Sequence, residues 1–502
     1  VSDSLATLRQ ALAPKAGMRR IPFPLESYEH PSLPLSAKRL LNVMAEEAPA
    51  DARTHAALVP TPGLAPHLAV GSGPIHAINT DLPGVMYFVS GTRAYGYRGI
   101  HPGDPAAVLW DMGDVGSPSP GGLNPIHLMT PTIAVSTQAV VVCVPPNAFT
   151  APTDFGASLN QIGGTFPGAN SVTFIDGYFA FSSTDAAPQS FFISRLYDPL
   201  AYDALDFASL DEGSNAVLRI VTHAGELWVV GMAGFEIWYN SGDADFPFRR
   251  RLTGGVIERA IGTPRSLAQI DGSVFWLGLD GIVYRSVGYQ ATRISTHAVE
   301  AAIAALGAGA VADCFGNAYM DQGHAFYVLT LEDVRTLVYD CNTKVWHDRA
   351  SSIDGAGAWR PHVLAPQNNG TLNTLAGDPV VGEVYILDHT ISTDNGLEVA
   401  RGITFPPIFA GTNRAFCHRV EVETEVGTEA SHGDLTLDWS DDGGITWTGG
   451  PRTLSAGAVG ETRHRAFTTR LGSFRQRVLR LGFTGRRTVY GLDADISGGT
   501  GG

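Results

Sequence analysis

IDGSVFWLGLDGIVYR, residues 270–285, is the stretch on which the fold turns. Four apolar residues run together from Val274 to Leu277, Gly278-Leu279-Asp280-Gly281 interrupts them, and a second apolar run covers Ile282 to Tyr284. A strand with one wet face alternates apolar and polar residues. This one hardly does, so protein must cover both of its faces.

The same unit, a turn followed by an apolar strand, recurs along the chain. Weaker copies are PGVMYFVSGTRAYGY (83–97), QAVVVCV (138–144), IDGYFAFSS (175–183), HAGELWVVGMAGFEIWYN (223–240), QGHAFYVLTLEDVRTLVYD (322–340) and VGEVYILD (381–388). The turn glycines Gly177, Gly225, Gly272, Gly323 and Gly382 are 48, 47, 51 and 59 residues apart. A period near 50 in an all-β chain matches the blades of a β-propeller, four-stranded sheets stacked face to face. Stacking covers a blade's inner strands on both sides and removes the need for alternation. Six and seven blades both fit the spacing, and a sandwich of unrelated hairpins is the competing architecture. Composition points the same way: 58 Gly, 31 Pro and 46 aromatic residues (23 Phe, 15 Tyr, 8 Trp) among 502 suit many short strands and tight turns.

Three domains are expected. Residues 1–60 lie outside the repeat, with a short helical candidate from Leu5 to Leu12, prolines at 22, 24, 31 and 34, and an amphipathic run from Ala37 to Ala45. They read as an extended N-terminal arm with short helices. The propeller is expected over 61–395, ending at Asp394-Asn395-Gly396. From 396 to 502 the strands HRVEVETEV, GDLTLDWS, RHRAFTTRLG and RQRVLRLGF do alternate, as in a β-sandwich-like domain with one wet face.

The net charge of −15 divides as +1 over residues 1–60, −17 over 61–400 and +1 over 401–502. An acidic middle repels phosphate backbones and argues against tight nucleic-acid binding by that surface. Cys143, Cys314, Cys341 and Cys417 are far apart and form no C-x-x-C pair, so reduced thiols are expected in place of a zinc site or disulfide framework. No apolar run reaches about 18 residues and no leader pattern opens the chain, which leads to the expectation of a soluble protein made in the cytosol.

The sharpest local motif is SDDGGITW, where Ser440, Asp442, Gly444 and Trp447 fit S-x-D-x-G-x-x-W, an Asp-box. Asp442 is suited to accept backbone N–H bonds, Gly444 to take positive φ and Trp447 to cap an apolar layer. Sialidases carry several such boxes away from their catalytic centre; a single box outside the propeller reads as a structural turn. Nine arginines between Arg452 and Arg487 share 36 residues with one acid, Glu461. Such a run suits a phosphate-binding surface, yet on alternating strands it more often meets acids of a neighbouring subunit. Arg463, Arg465, Arg470, Arg475, Arg477 and Arg480 are therefore the candidate contacts to a subunit or partner. No H-E-x-x-H, G-x-S-x-G or P-loop pattern occurs, so no catalytic, metal or cofactor residue is nominated.

RLTGGVIERAIGTPRSLAQIDGSVFWLGLDGIVYR, running on to VGYQATRISTHAVE (251–300), resembles the central signature of packaged-DNA stabilisation proteins, the tail hub or nozzle subunits of short-tailed phages. SAKRLLNVMAEE followed by VPTPGL (36–64), LVYDCNTKVWHDR (337–349) and DHTISTDNGLEVAR (388–401) are similar to further parts of that family. The resemblance implies a non-enzymatic virion protein of the phage tail, assembled in the host cytoplasm as a ring, generally a hexamer. It implies portal and adaptor proteins above the ring, a tail needle, spike or fibres below, and double-stranded DNA passing without sequence-specific binding. It implies no cofactor and no membrane in the mature particle. The rival readings are a sialidase-like propeller glycosidase, which needs an arginine cluster and a Tyr/Glu pair, and a glycan-binding propeller without catalysis.

Overall fold

The computed structural model describes residues 18–498, apart from 50, 52–53, 55, 100–105, 117–130, 165, 184–187, 204, 211–215, 308, 368–372, 412 and 427–432. The chain forms two compact units: residues 64–344 with 358–387, and residues 1–63 with 345–357 and 388–502.

The first unit is a β-propeller. Its blades are antiparallel meanders beginning at Ile75–Asn79, Thr132–Val135, Ala169–Ile175, Val217–His223 and Ala268–Ile270, each continuing through three more strands in chain order. A last blade of Val363–Pro366, Thr374–Gly377 and Glu383–Asp388 takes its outer strand from the start of the unit, Gly63–Ala69, which ties the two ends of the ring together. Besides these six separate sheets, the meander Phe315–Asp321, His324–Leu331, Arg335–Asp340 completes the circle. Seven inner strands thus surround one axial cavity, one from each meander.

Residues 273–277 show why the period-2 pattern is missing. All five residues of the strand Ser273–Leu277 are buried. Val274 and Trp276 point to one side, into a core with Trp228, Phe235 and Ile237 of the preceding blade, and the Phe235 and Trp276 ring centroids are 4.7 Å apart. Phe275 points to the other side and stacks on Tyr327 of the following meander at 5.1 Å. The interruption at 278–281 is a turn held by Asp280, whose carboxylate accepts from the Ile282 N–H at 3.1 Å and from the Tyr284 hydroxyl at 2.6 Å. Gly281 takes φ +75° there.

The second unit is a β-sandwich. In one sheet Ala415–Val426 pairs on one side with His464–Thr469 and on the other with Arg487–Gly498. The other sheet runs Arg401–Thr404, Gln476–Phe483, Leu435–Ser440, Arg452–Leu454. Where an extended arm with helices was expected over 1–60, the described residues form strands of this sandwich. Ala37–Leu41 pairs with Arg401–Thr404, Val43–Glu47 pairs with Ala56–Pro60, and Met18–Arg20 pairs with Arg487–Gly498. Leu40, Val43 and Leu58 are fully buried with Ile403, Val420, Leu437, Leu481 and Leu492. The amphipathic run is two strands because Asn42 takes φ +52°, a conformation asparagine tolerates better than most side chains. Its amide donates to the Ala350 and Ala400 carbonyls at 2.8 and 2.7 Å, fixing the bend. The helical candidate Leu5 to Leu12 lies outside the described residues.

Among the described residues no helix is long and apolar enough to cross a membrane. All four cysteines are buried free thiols.

Candidate functional site

The Asp-box lies in the turn that follows Leu435–Ser440. Ser440 Oγ donates to Asp442 Oδ1 at 2.6 Å and accepts from the Gly444 N–H at 2.8 Å. Asp442 also accepts from the Thr446 N–H at 2.9 Å and from the Thr446 hydroxyl. Hydrogen bonds from Ser440 and then Thr446 hold the Asp442 carboxyl well below the usual carboxylate range. Gly443 and Gly444 take φ +84° and +103°. Trp447 stays half-buried at the edge of a cavity of about 340 Å³, with the Arg480 guanidinium 3.9 Å above its ring. Among the described residues the groups that donate to this carboxylate, Ser440 and Thr446, lie within the turn itself, which gives it the geometry of a fastened loop.

The six candidate arginines of the run separate into two groups. Arg477 is buried, makes a two-pronged pair with Asp441 at 2.7 Å on both arms and stacks 4.6 Å over Phe474. Arg480 meets Asp438 at 3.0 Å, Arg463 meets Glu423 at 2.8 Å, and Arg465 reaches Glu421 at 3.4 Å. These four therefore have acidic partners inside their own sandwich. Arg470 and Arg475 are exposed, and among the described residues no ion pair holds either side chain. Counting acids only between 452 and 487 hides this. The partners sit on neighbouring strands, and the alternating Glu421, Glu423 and Glu425 of HRVEVETEV were the available signal, since period 2 places them on one face.

Sequence reading missed the propeller's axial cavity. It has a volume of about 760 Å³ and is lined by all seven inner strands. His76, Arg219, Gln269, Asn317 and His362 line it, together with Arg265 from the turn Pro264–Ser266. Arg219 donates through Nη1 to the Pro264 carbonyl at 2.8 Å, and its Nε is buried without a partner among the described residues. Arg265 lies 5.4 Å over the Phe315 ring, and its Nε is likewise buried and unpartnered. Phe315 in turn packs on His362 with centroids 4.5 Å apart. Burial pushes Arg219 down to about 10 and lowers Arg265 as well. Burial first and the Arg265 charge second push His362 down to about 4 and lower His76. Among the described residues the only carboxylate in the lining is Asp81, which already accepts from the Asn79 amide at 2.7 Å. No local motif marks this site, because its residues are spread over five meanders, with only Arg265 and Gln269 close together in the chain. Among the described residues no group of three or more His, Cys, Asp or Glu side chains is placed to hold a metal.

Comparison with known proteins gives two family matches in chain order. Residues 127–392 match the family model described as Bacteriophage P22 Gp10, beta-propeller, and residues 403–497 match the one described as Bacteriophage P22 Gp10, beta-sandwich. Nothing among the curated proteins matches. Among solved structures the chain is similar to the extracellular domain of a hybrid two-component system of B. thetaiotaomicron, at 10% identity and TM-score 0.41, over 65% of this chain and 39% of that one. It is also similar to the WD40 beta propeller domain of Doa1, at 11% identity and TM-score 0.38, over 65% of this chain and 97% of that one.

Proposed function

The chain belongs to the bacteriophage P22 Gp10 family, a family of phage tail structural proteins, and on that premise we propose that it is the ring-forming nozzle of a short tail. Copies of the chain, six by the family resemblance, surround a common channel beneath the portal and adaptor proteins. The ring closes that channel after packaging, retains the genome and later conducts it outward; a needle, spike or fibres attach at the distal end.

The observation that carries this reading is the pair of family matches, propeller then sandwich, in one chain. The size of the axial cavity adds a constraint. A space of about 760 Å³ is that of a small-ligand pocket and does not admit a duplex. The conduit therefore runs between copies, around the ring axis, and each propeller serves as a stiff wall segment. A glycosidase of the sialidase kind would need a Tyr/Glu pair facing an arginine cluster, and the described lining of the cavity contains neither a tyrosine nor a glutamate.

Electron microscopy of the purified full chain tests the proposal. Rings with an open centre are expected. A population made only of single compact particles, at concentrations where tail proteins assemble, would overturn it.

A further inference from the structure

Two cationic side chains of the axial cavity have no carboxylate partner. In the sandwich the buried Arg477 meets Asp441 on both arms, and the half-exposed Arg463, Arg465 and Arg480 also meet carboxylates. Inside the propeller Arg219 and Arg265 do not: among the described residues neither makes an ion pair, and each keeps a buried Nε with no acceptor. This occurs although residues 61–400 carry a net charge of −17, so acids were available to the fold. Taking a guanidinium out of water without an acidic partner is costly. Evolution keeps such a group where something else supplies the charge.

The surroundings specify what that is. Arg265 lies 5.4 Å over the Phe315 ring, with His362 against the same ring and both His362 and His76 close enough to feel its charge. The acidic groups that act on Arg265 are Asp313 and the Cys314 thiol, neither of which lines the cavity. A neutral imidazole still offers one N–H donor. Arginine presents a planar fork that matches phosphate or carboxylate oxygens. The volume suits a molecule of metabolite size.

We propose that the axial cavity of the propeller is a binding site for a small oxyanion, a phosphate- or carboxylate-bearing molecule seated on Arg265 with His362 and His76 as flanking donors and Arg219 as a second cationic anchor. The site is separate from the ring channel, and bound ligand would lock the inner strands of facing blades together from within.

Isothermal titration of the full chain with inorganic phosphate and, separately, with citrate tests this, at an ionic strength held constant with sodium chloride. The two probes distinguish a phosphate from a carboxylate ligand. Saturable binding of at least one is expected, weakened about tenfold or more by Arg265→Gln and largely kept by Arg265→Lys. Absence of saturable binding by both probes, or equal affinity in Arg265→Gln, overturns the proposal. Should the glutamine variant not fold, phenylglyoxal labelling of the wild-type chain decides: the probe should protect Arg265 and Arg219, read by peptide mass spectrometry, and undiminished labelling of both sinks the site.

Discussion

His362 packs against Phe315 with 4.5 Å between centroids, inside a cavity that also holds the Arg265 charge. Both burial and that charge disfavour the imidazolium, which is why the folded pKa falls to about 4 from an ordinary 6.5. In the unfolded chain the same ring takes up a proton near pH 6.5. The folded state therefore binds fewer protons between those values, and its stability is full above pH 6.5 and declines as pH falls toward 4. The carboxylates Asp333 and Asp378 pull weakly the other way, and Asp378 is already engaged by Arg360 and Tyr385. The expected result is a melting temperature that drops from pH 7 to pH 5, with a shallower drop in His362→Gln. Parallel pH profiles for the two proteins would show that the histidine is not the group responsible. None of this was legible beforehand. His76 and His362 stand far apart in the chain, and only ring closure brings them to one cavity with Arg265.

Strands of the propeller were easier to read than those of the sandwich, and the reason is what covers them. Trp276 meets Phe235 on the preceding blade while its neighbour Phe275 meets Tyr327 on the following one. A strand covered on both faces shows itself as an unbroken apolar run, and turns such as Asp271-Gly272, at φ +50° and +60°, mark where each run begins. Residues 37–47 carry no comparable sign. The partners of Ala37–Leu41, Arg401–Thr404, lie more than 350 residues away, so that pairing leaves no local pattern, and although Val43–Glu47 pairs with the nearby Ala56–Pro60, a mixed apolar run broken by Asn42 looks equally helical. The ion pairs of the arginine run were hidden similarly, since most of its acids stand on adjoining strands. Removing the indole of Trp276 tests the stacking directly. Trp276→Ala leaves a cavity between two blades, at a cost of about 3–5 kcal/mol. The variant should melt several degrees lower than wild type or fail to accumulate in soluble form. A soluble variant melting within a degree or two of wild type would show that this strand is not clamped on both faces.

For the proposed nozzle the question is how a ring would hold a genome and still release it. Duplex DNA brings about one negative charge per 1.7 Å of axis to whatever lines its path. A basic lining would grip the phosphates at many points and slow the duplex; an acidic one repels it and lets it slide. The propeller region, with −17 over residues 61–400, is suited to sliding. Of the nine arginines between 452 and 487, Arg463, Arg465, Arg477 and Arg480 are engaged by Glu421, Glu423, Asp438 and Asp441, Arg487 is buried against the Thr424 hydroxyl and the Ala456 carbonyl, and Arg452, Arg470 and Arg475 stay exposed. Three scattered exposed arginines make a poor DNA clamp but adequate contacts for a neighbouring subunit or tail partner. On the proposed nozzle reading, retention would rest on mechanical closure at the distal end of the channel and not on adhesion along its wall. Weak duplex binding by the isolated chain at about 150 mM salt is the expected outcome, unchanged when Arg470 and Arg475 are both replaced by serine, while ring or tail assembly suffers. Submicromolar binding that disappears in the double variant would make these arginines a DNA contact and remove the basis for a sliding channel.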